Sequence, residues 1–379
     1  MQVGVMIASS NHADWERLLA NDYSRPPETP DAEMVDNAIR LGDLVEPLGF
    51  NSLWTTEHYG SAYSMQPNPL QFLAYWAGRT KKIDLGSAVV VVPWWNPVRL
   101  ASEISMLDLL LGGRRLLLGL GRGISEHEYK SFGVPREQSR DYFYEIYEIL
   151  QLALSQERFE YDGKIFEIPP TSIRPQARHK GDLLGNVRAA FSTQRSAELA
   201  AEAGLGQLFV AGEPLDQMRE SVIKFNGIRA SRGLPPDQPT ALLWMYCARD
   251  EADVAKGRAY YQAQRQATLN HYFKWNTSGF EVPGYEEYAE KLNSGGAIAD
   301  IGGALNLSNT EMLIGTPEQI LENIHALQEA LSMDYLVLHV SYGDMPFGEA
   351  ERSMRLFAEE VLPHVQRMPT PFHPASVSS

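Results

Sequence analysis

The sequence predicts an α/β fold, a single (β/α)8 barrel with insertions, on three observations. Short apolar runs alternate with amphipathic segments along most of the chain, the pattern of parallel βα units. Eight such runs can be counted, nearly all followed by a helical pattern, which suits a closed barrel better than an open sheet. The chain has 379 residues, enough for one barrel of roughly 250 residues plus insertions. No solenoid-period repeat and no Pro/Gly/Ser linker divides it. One domain over residues 1–366 is expected, with a flexible Pro- and Ser-rich tail over 367–379.

The elements follow in order. Val3 to Ala8 reads as the first strand, and Asp31 as the N-cap of a helix reaching Leu48. Ser52 to Thr56 is the second strand, and Pro69 to Arg79 a helix with proline in its first turn. Ile83 to Val92 is apolar almost throughout, as a strand covered on both faces should be. Pro97 to Leu111 carries Leu100, Ile104, Leu107 and Leu111 at helical spacing and is stopped by Gly112-Gly113. Leu116 to Leu120 is the fourth strand, and Glu137 to Leu154 its helix. Asp162-Gly163 between apolar arms signals a hairpin, followed by a loop rich in Pro and Arg. Val187 to Phe191, Gln207 to Val210, Ala241 to Ala248 and Tyr335 to Val340 complete the strands. Helices are expected from Gln194, after Pro214, from Glu251 to Lys274, from Thr316-Pro317-Glu318 and over Glu349 to Val365. The polar stretch from Asn276 to Thr310 has no clear period and reads as a lid-like excursion over the barrel mouth.

Bulk composition removes several classes of function. The formal net charge of -15 repels phosphate backbones and anionic membranes, so nucleic acid and lipid are poor partners. No stretch approaches the roughly 18 apolar residues of a membrane helix. The start, MQVGVMIASS, has no basic region before an apolar run and reads as a strand, not a signal peptide. Cys247 is the only cysteine. Disulfide frameworks and cysteine zinc sites are thereby excluded, and a reducing cytoplasm is the expected compartment.

In a barrel of this kind the strands' C-terminal ends carry the site. After the second strand stands Glu57-His58-Tyr59, where His58 can move a proton near neutral pH or be a hydrogen-bonded structural residue. His127, in Ser125-Glu126-His127-Glu128, reads as part of a solvated loop. A zinc site from His58, His127 and carboxylates lacks a supporting spacing. Gly119, Gly121 and Gly123 let a ligand approach the backbone, but the spacing is not a dinucleotide fingerprint. Arg122 between two of these glycines offers a planar fork to a phosphate, or is a surface residue on a tight turn. Ser192, Thr193 and Ser196 cluster at a helix start, where hydroxyls and free N–H groups seat a phosphate; an ordinary N-cap explains one hydroxyl better than three. Arg122 and this cluster come from successive strands and together suggest a phosphate clamp. Trp94-Trp95, with Trp54, Tyr59 and Tyr63, can line a pocket for a flat ring or simply pack.

These segments also carry a likeness. GFNSLWTTEHYG, LGSAVVVVPWWNPVRLASEISMLDLLLGGRRLLLGLGRG, EHEYKSFGVPREQSR, AAFSTQRSAELAAEAGL and GTPEQILENIHALQ resemble, in that order, the bacterial-luciferase-like flavin monooxygenase family. The resemblance implies a barrel binding FMN at its mouth. Reduced FMN from a separate NAD(P)H flavin reductase would react with molecular oxygen to give a flavin hydroperoxide that oxidises a small organic substrate. It implies that His58 is the catalytic histidine and that Ala88 and Val89 carry a non-prolyl cis peptide against the flavin. It further implies that Arg122, Thr193 and Ser196 bind the flavin phosphate, and that the protein is a homodimer. Tyr59 and Gly121 stand where luciferases proper have a second histidine and a reactive cysteine. Light emission on an aldehyde is therefore not implied, and the Trp94-Trp95 pair points to a different, apolar substrate. Two other readings share the fold: hydride transfer with a deazaflavin, and a non-catalytic flavin-binding barrel. An aldolase or isomerase barrel would want a lysine or paired acids at strand ends, and no lysine stands there.

Overall fold

The computed structural model describes residues 1–191, 193–210, 215–271, 282–286 and 313–370. Its strands are β1 (Gln2–Met6), β2 (Ser52–Thr55), β3 (Asp84–Val91), β4 (Leu116–Gly121), β5 (Phe159–Asp162), β6 (Glu167–Thr171), β7 (Val187–Ala190), β8 (Gly206–Val210), β9 (Thr240–Cys247), β10 (Leu313–Gly315) and β11 (Tyr335–His339). Eight of them pair in parallel in the circular order β1-β2-β3-β4-β7-β8-β9-β11 and back to β1, a closed (β/α)8 barrel. β5 and β6 form a separate antiparallel ribbon.

Alternation along each strand divides the core in two. Odd residues of β1, such as Val3 and Val5, face the helix layer. Met6, Trp54, Leu117, Leu208, Leu242, Tyr335 and Val337 meet inside the barrel. Trp54 plugs the interior, donating from Nε1 to Ser52 Oγ at 2.8 Å. Gly4 and Gly86 make room for it, since a Cβ at either position would stand 2.4–2.5 Å from the indole. Inward residues nearer the strands' C-terminal ends are smaller or polar, among them Ala88, Gly121, Ala190 and His339, and there the interior opens into a cavity.

Local signals set the helix ends. Asn68 and Asn96 cap the Pro69–Arg79 and Pro97–Leu111 helices, each accepting backbone N–H groups of the first turn. Gly112 ends the second in the left-handed region at φ 65°. Thr316 and Gln319 form a capping box on the Pro317–Leu331 helix.

Several expectations are corrected. Asp31 is the first helical residue and not the cap, and its carboxylate instead accepts from Asn11 Nδ2 at 2.8 Å. The hairpin forms as expected from β5 and β6, and its turn is tied by the Glu145 carboxylate, which accepts the N–H groups of Lys164, Ile165 and Phe166. The last helix is two, Phe347–Glu360 and Leu362–Arg367, because Pro363 cannot continue the first. The segment read as a solvated loop is a helix, Glu126–Phe132. β10, unforeseen, extends β9 along its far half. The start of the expected tail is fastened: Met368 is buried, its carbonyl accepts from the N-terminal amine at 2.7 Å, and the Thr370 carbonyl accepts from Gln238. Residues 371–379, Ser192 and most of the expected lid lie outside the described residues. Among the described residues, no helix is long and apolar enough to cross a membrane.

Candidate active site at the barrel mouth

The interior opens at the C-terminal ends of the strands into a cavity of about 250 Å³. His58, Ala88, Val89, Arg122, Thr193 and Ser196 all line it. Passing round the rim from β2 through β3 and β4 to β7 meets them in that order. The Ala88–Val89 peptide is cis, and the register between β3 and β4 shifts at this point.

Arg122 follows β4. Its Nη1 donates to Ser139 Oγ at 3.3 Å and its Nη2 to the Gly284 carbonyl at 3.0 Å, while the guanidinium lies 4.7 Å from the Tyr285 ring centroid. Tyr285 belongs to the segment expected to cover the mouth; its hydroxyl donates to the Gly123 carbonyl at 2.8 Å. Arg136 lies against the same ring, at 4.2 Å. Arg140 is lowered by burial and by the like charges of Arg122 and Arg195, partly offset by Glu286. Cations are thus crowded in a chain whose net charge is -15. Thr193 is the N-cap of the Gln194–Glu202 helix and its hydroxyl donates to Ser196 Oγ at 2.9 Å, so the capping reading holds alongside the cavity position.

A buried network also borders the cavity, and of its members only His58 was expected at the site. His58 Nδ1 lies 3.1 Å from Glu128 Oε1, which also accepts the Tyr59 N–H at 2.8 Å. The other oxygen of Glu128 faces His271 Nε2 at 3.4 Å, and Ser61 Oγ meets His271 Nδ1 at 2.7 Å. Burial works to raise the Glu128 carboxyl, but His58 and His271 outweigh it and hold it down at about 2. An ionised carboxylate only accepts, so the facing His58 Nδ1 carries the hydrogen. Proton exchange at His58 then falls to Nε2. His58, Glu128 and His271 bring their donor atoms within 4.8 Å. Oε1 is taken by the Tyr59 N–H and by His58, while Oε2 lies 3.4 Å from His271 Nε2.

Glu57, beside His58, is 1% exposed. It accepts from Val91 N at 2.6 Å, Tyr59 Oη at 2.8 Å and Trp95 Nε1 at 3.0 Å. Burial nevertheless pushes its carboxyl up to about 8. The expected tryptophan pair is split by this bond. Trp94 lines the cavity, whereas Trp95 turns inward to Glu57; of the other aromatics, Tyr63 lines the cavity and Trp54 is the plug below. The far wall, also unforeseen, is built by Leu242, Trp244, Gln264, Thr268 and His339 from the second half of the barrel. Burial keeps His339 neutral, at about 3. Cys247 lies in the outer core, its thiol pushed up to about 12 by burial.

Comparison with known proteins agrees with this architecture. The luciferase-like monooxygenase family matches residues 15–333. The alkanal monooxygenase alpha chain of Photobacterium leiognathi is 27% identical over 353 residues, spanning 90% of this chain and 96% of its own. A monooxygenase from Streptomyces bottropensis has a similar crystal structure, with a TM-score of 0.77 at 25% identity over 96% of this chain and 99% of that one. The oxygenating constituent of 3,6-diketocamphane monooxygenase from Pseudomonas putida, solved in complex with FMN, has a TM-score of 0.68 at 19% identity, covering 98% of this chain and 100% of that one. With the family matched over most of its length, this chain belongs to the luciferase-like monooxygenases and is an oxidoreductase.

Proposed function

We propose that the protein is an FMN-dependent monooxygenase that takes reduced FMN from a separate NAD(P)H flavin reductase and oxidises a small organic molecule with an apolar body. The observation that carries this reading is the sequence of cavity-lining groups round one rim: His58, the apolar pair Ala88 and Val89, Arg122, then Thr193 and Ser196. The donor set fits the cofactor. Crowded arginines beside two hydroxyls at a helix start call for a phosphate-like dianion. Ala88 and Val89 offer a small apolar surface for a flat ring.

When bound, reduced FMN supplies the two electrons that let one atom of molecular oxygen enter the substrate while the other leaves as water. The chain's own residues do the rest. Arg122, Thr193 and Ser196 hold the phosphate. His58, fixed through Nδ1 by Glu128, gives or takes a proton at Nε2. Trp94, Trp244, Leu242 and Met6 exclude water, which protects a reactive intermediate. Gln264, Thr268 and His339 are the polar groups left for a substrate on the far wall.

Two finer points follow. Tyr75, Met106 and Leu110 are 40%, 45% and 52% exposed on two helices that pack together, which supports a homodimer formed on that face. The lone buried thiol suits a reducing cytoplasm. The deciding experiment titrates the protein with reduced FMN and with reduced deazaflavin while oxygen uptake is recorded. FMN binding with substrate-dependent oxygen uptake is expected; tight binding of the deazaflavin alone overturns the reading. His58→Ala should retain FMN binding while product formation collapses.

A further inference from the structure

We propose that His271 is a positioning residue for His58, acting through the Glu128 carboxylate that the two rings share. The inference rests on reading His58 as the proton-handling group. Glu128 carries one negative charge between two imidazoles, with His58 Nδ1 at 3.1 Å from one oxygen and His271 Nε2 at 3.4 Å from the other. One carboxylate compensates one imidazolium, so the rings compete for it.

The surroundings decide which ring stays neutral. His271 is 2% exposed and burial lowers it. The Ser61 hydroxyl meets its Nδ1 at 2.7 Å and also accepts the Tyr63 N–H, which lies at 3.3 Å. A Ser61 O–H donated to Nδ1 leaves the hydrogen of a neutral ring on Nε2, the nitrogen 3.4 Å from Glu128 Oε2. The Tyr63 ring stacks on His271 at 4.7 Å and meets His58 edge-on at 5.0 Å, fixing both rings. The ionisable groups facing the pair are Glu128 and His127 from the Glu126–Phe132 helix, and Glu57 and Tyr63 from the segment after β2. In this arrangement the neutral His271 N–H draws off part of the Glu128 charge. That weakens the pull of Glu128 on the His58 proton and leaves Nε2 readier to release it into the cavity.

The test is an NMR titration of histidine-labelled protein without flavin. The His58 signals are assigned among nine histidines by their loss in His58→Gln. In His271→Phe the N–H to Glu128 is gone, and the His58 midpoint should move up by about one pH unit. His271→Gln restores a donor at the same place and should return most of that shift. Ser61→Ala touches neither Glu128 nor His58, and should move the midpoint the same way by less. The pH profile of oxygenation should move with the midpoint. An unmoved midpoint in His271→Phe, or equal shifts in the Phe and Gln variants, overturns the proposal. If His271→Phe does not fold, an unmoved midpoint in Ser61→Ala does so. No substrate-dependent oxygen uptake by the parent protein, with the NMR shift intact, would instead count against the monooxygenase reading and leave the coupling standing.

Discussion

Arg122→Ala should weaken binding of FMN much more than binding of riboflavin, which has the same ring system and no phosphate. The guanidinium presents five N–H donors. Two go to Ser139 Oγ and the Gly284 carbonyl, which pin it in place, and the others remain for an anion. A hydrogen bond to a charged partner contributes about 1.5–3 kcal/mol. At about 1.4 kcal/mol per tenfold, losing it raises the FMN Kd by roughly 10- to 100-fold. Arg140 feels the charges of both Arg122 and Arg195 and can take up part of the load, so the lower half of that range is expected at high salt, with the upper half at low salt. Riboflavin affinity should change by less than about threefold, within the 0.5 kcal/mol of a substitution that removes no contact. The assay is quenching of flavin fluorescence with each ligand, repeated at two ionic strengths. Equal weakening of both ligands would refute the argument, because it would mean that Arg122 shapes the mouth and not a phosphate seat.

Three further outcomes are expected. Glu57→Gln should flatten the pH dependence of stability: a carboxyl raised to about 8 when folded favours the native state at low pH. That contribution is lost as pH climbs from about 4.5 to 8, with a ceiling of about 5 kcal/mol; parallel denaturation midpoints for parent and variant between pH 5 and 8.5 would sink this. Gly86→Ala places a Cβ 2.4 Å from the buried Trp54 ring and should cost about 1–3 kcal/mol in urea unfolding, whereas a loss under 0.5 kcal/mol would show that the plug yields. Leu110→Glu, on a half-exposed apolar face, should shift the light-scattering mass from dimer to monomer, and an unchanged mass removes that face as the interface.

What was legible in the sequence was local. The period of apolar residues marked eight strands, Pro69 and a Thr-Pro pair marked helix starts, and Gly112 marked a stop, because each signal is set by neighbours a few residues away. Rim residues such as His58, Arg122, Thr193 and Ser196 could be picked because a barrel places strand ends on one face. Glu128 could not be read the same way. Its neighbours Ser125, Glu126 and His127 look solvated, and its burial follows only from docking the Glu126–Phe132 helix beside the segment after β2, 70 residues earlier. His271 is 210 residues from its Ser61 partner. The sequence by itself determined the barrel and which strand ends would face the mouth. Closure of the sheet alone decided which distant polar groups would share one dry space, and a buried carboxylate between two imidazoles acquires its charge from that shared space and not from its place in the chain.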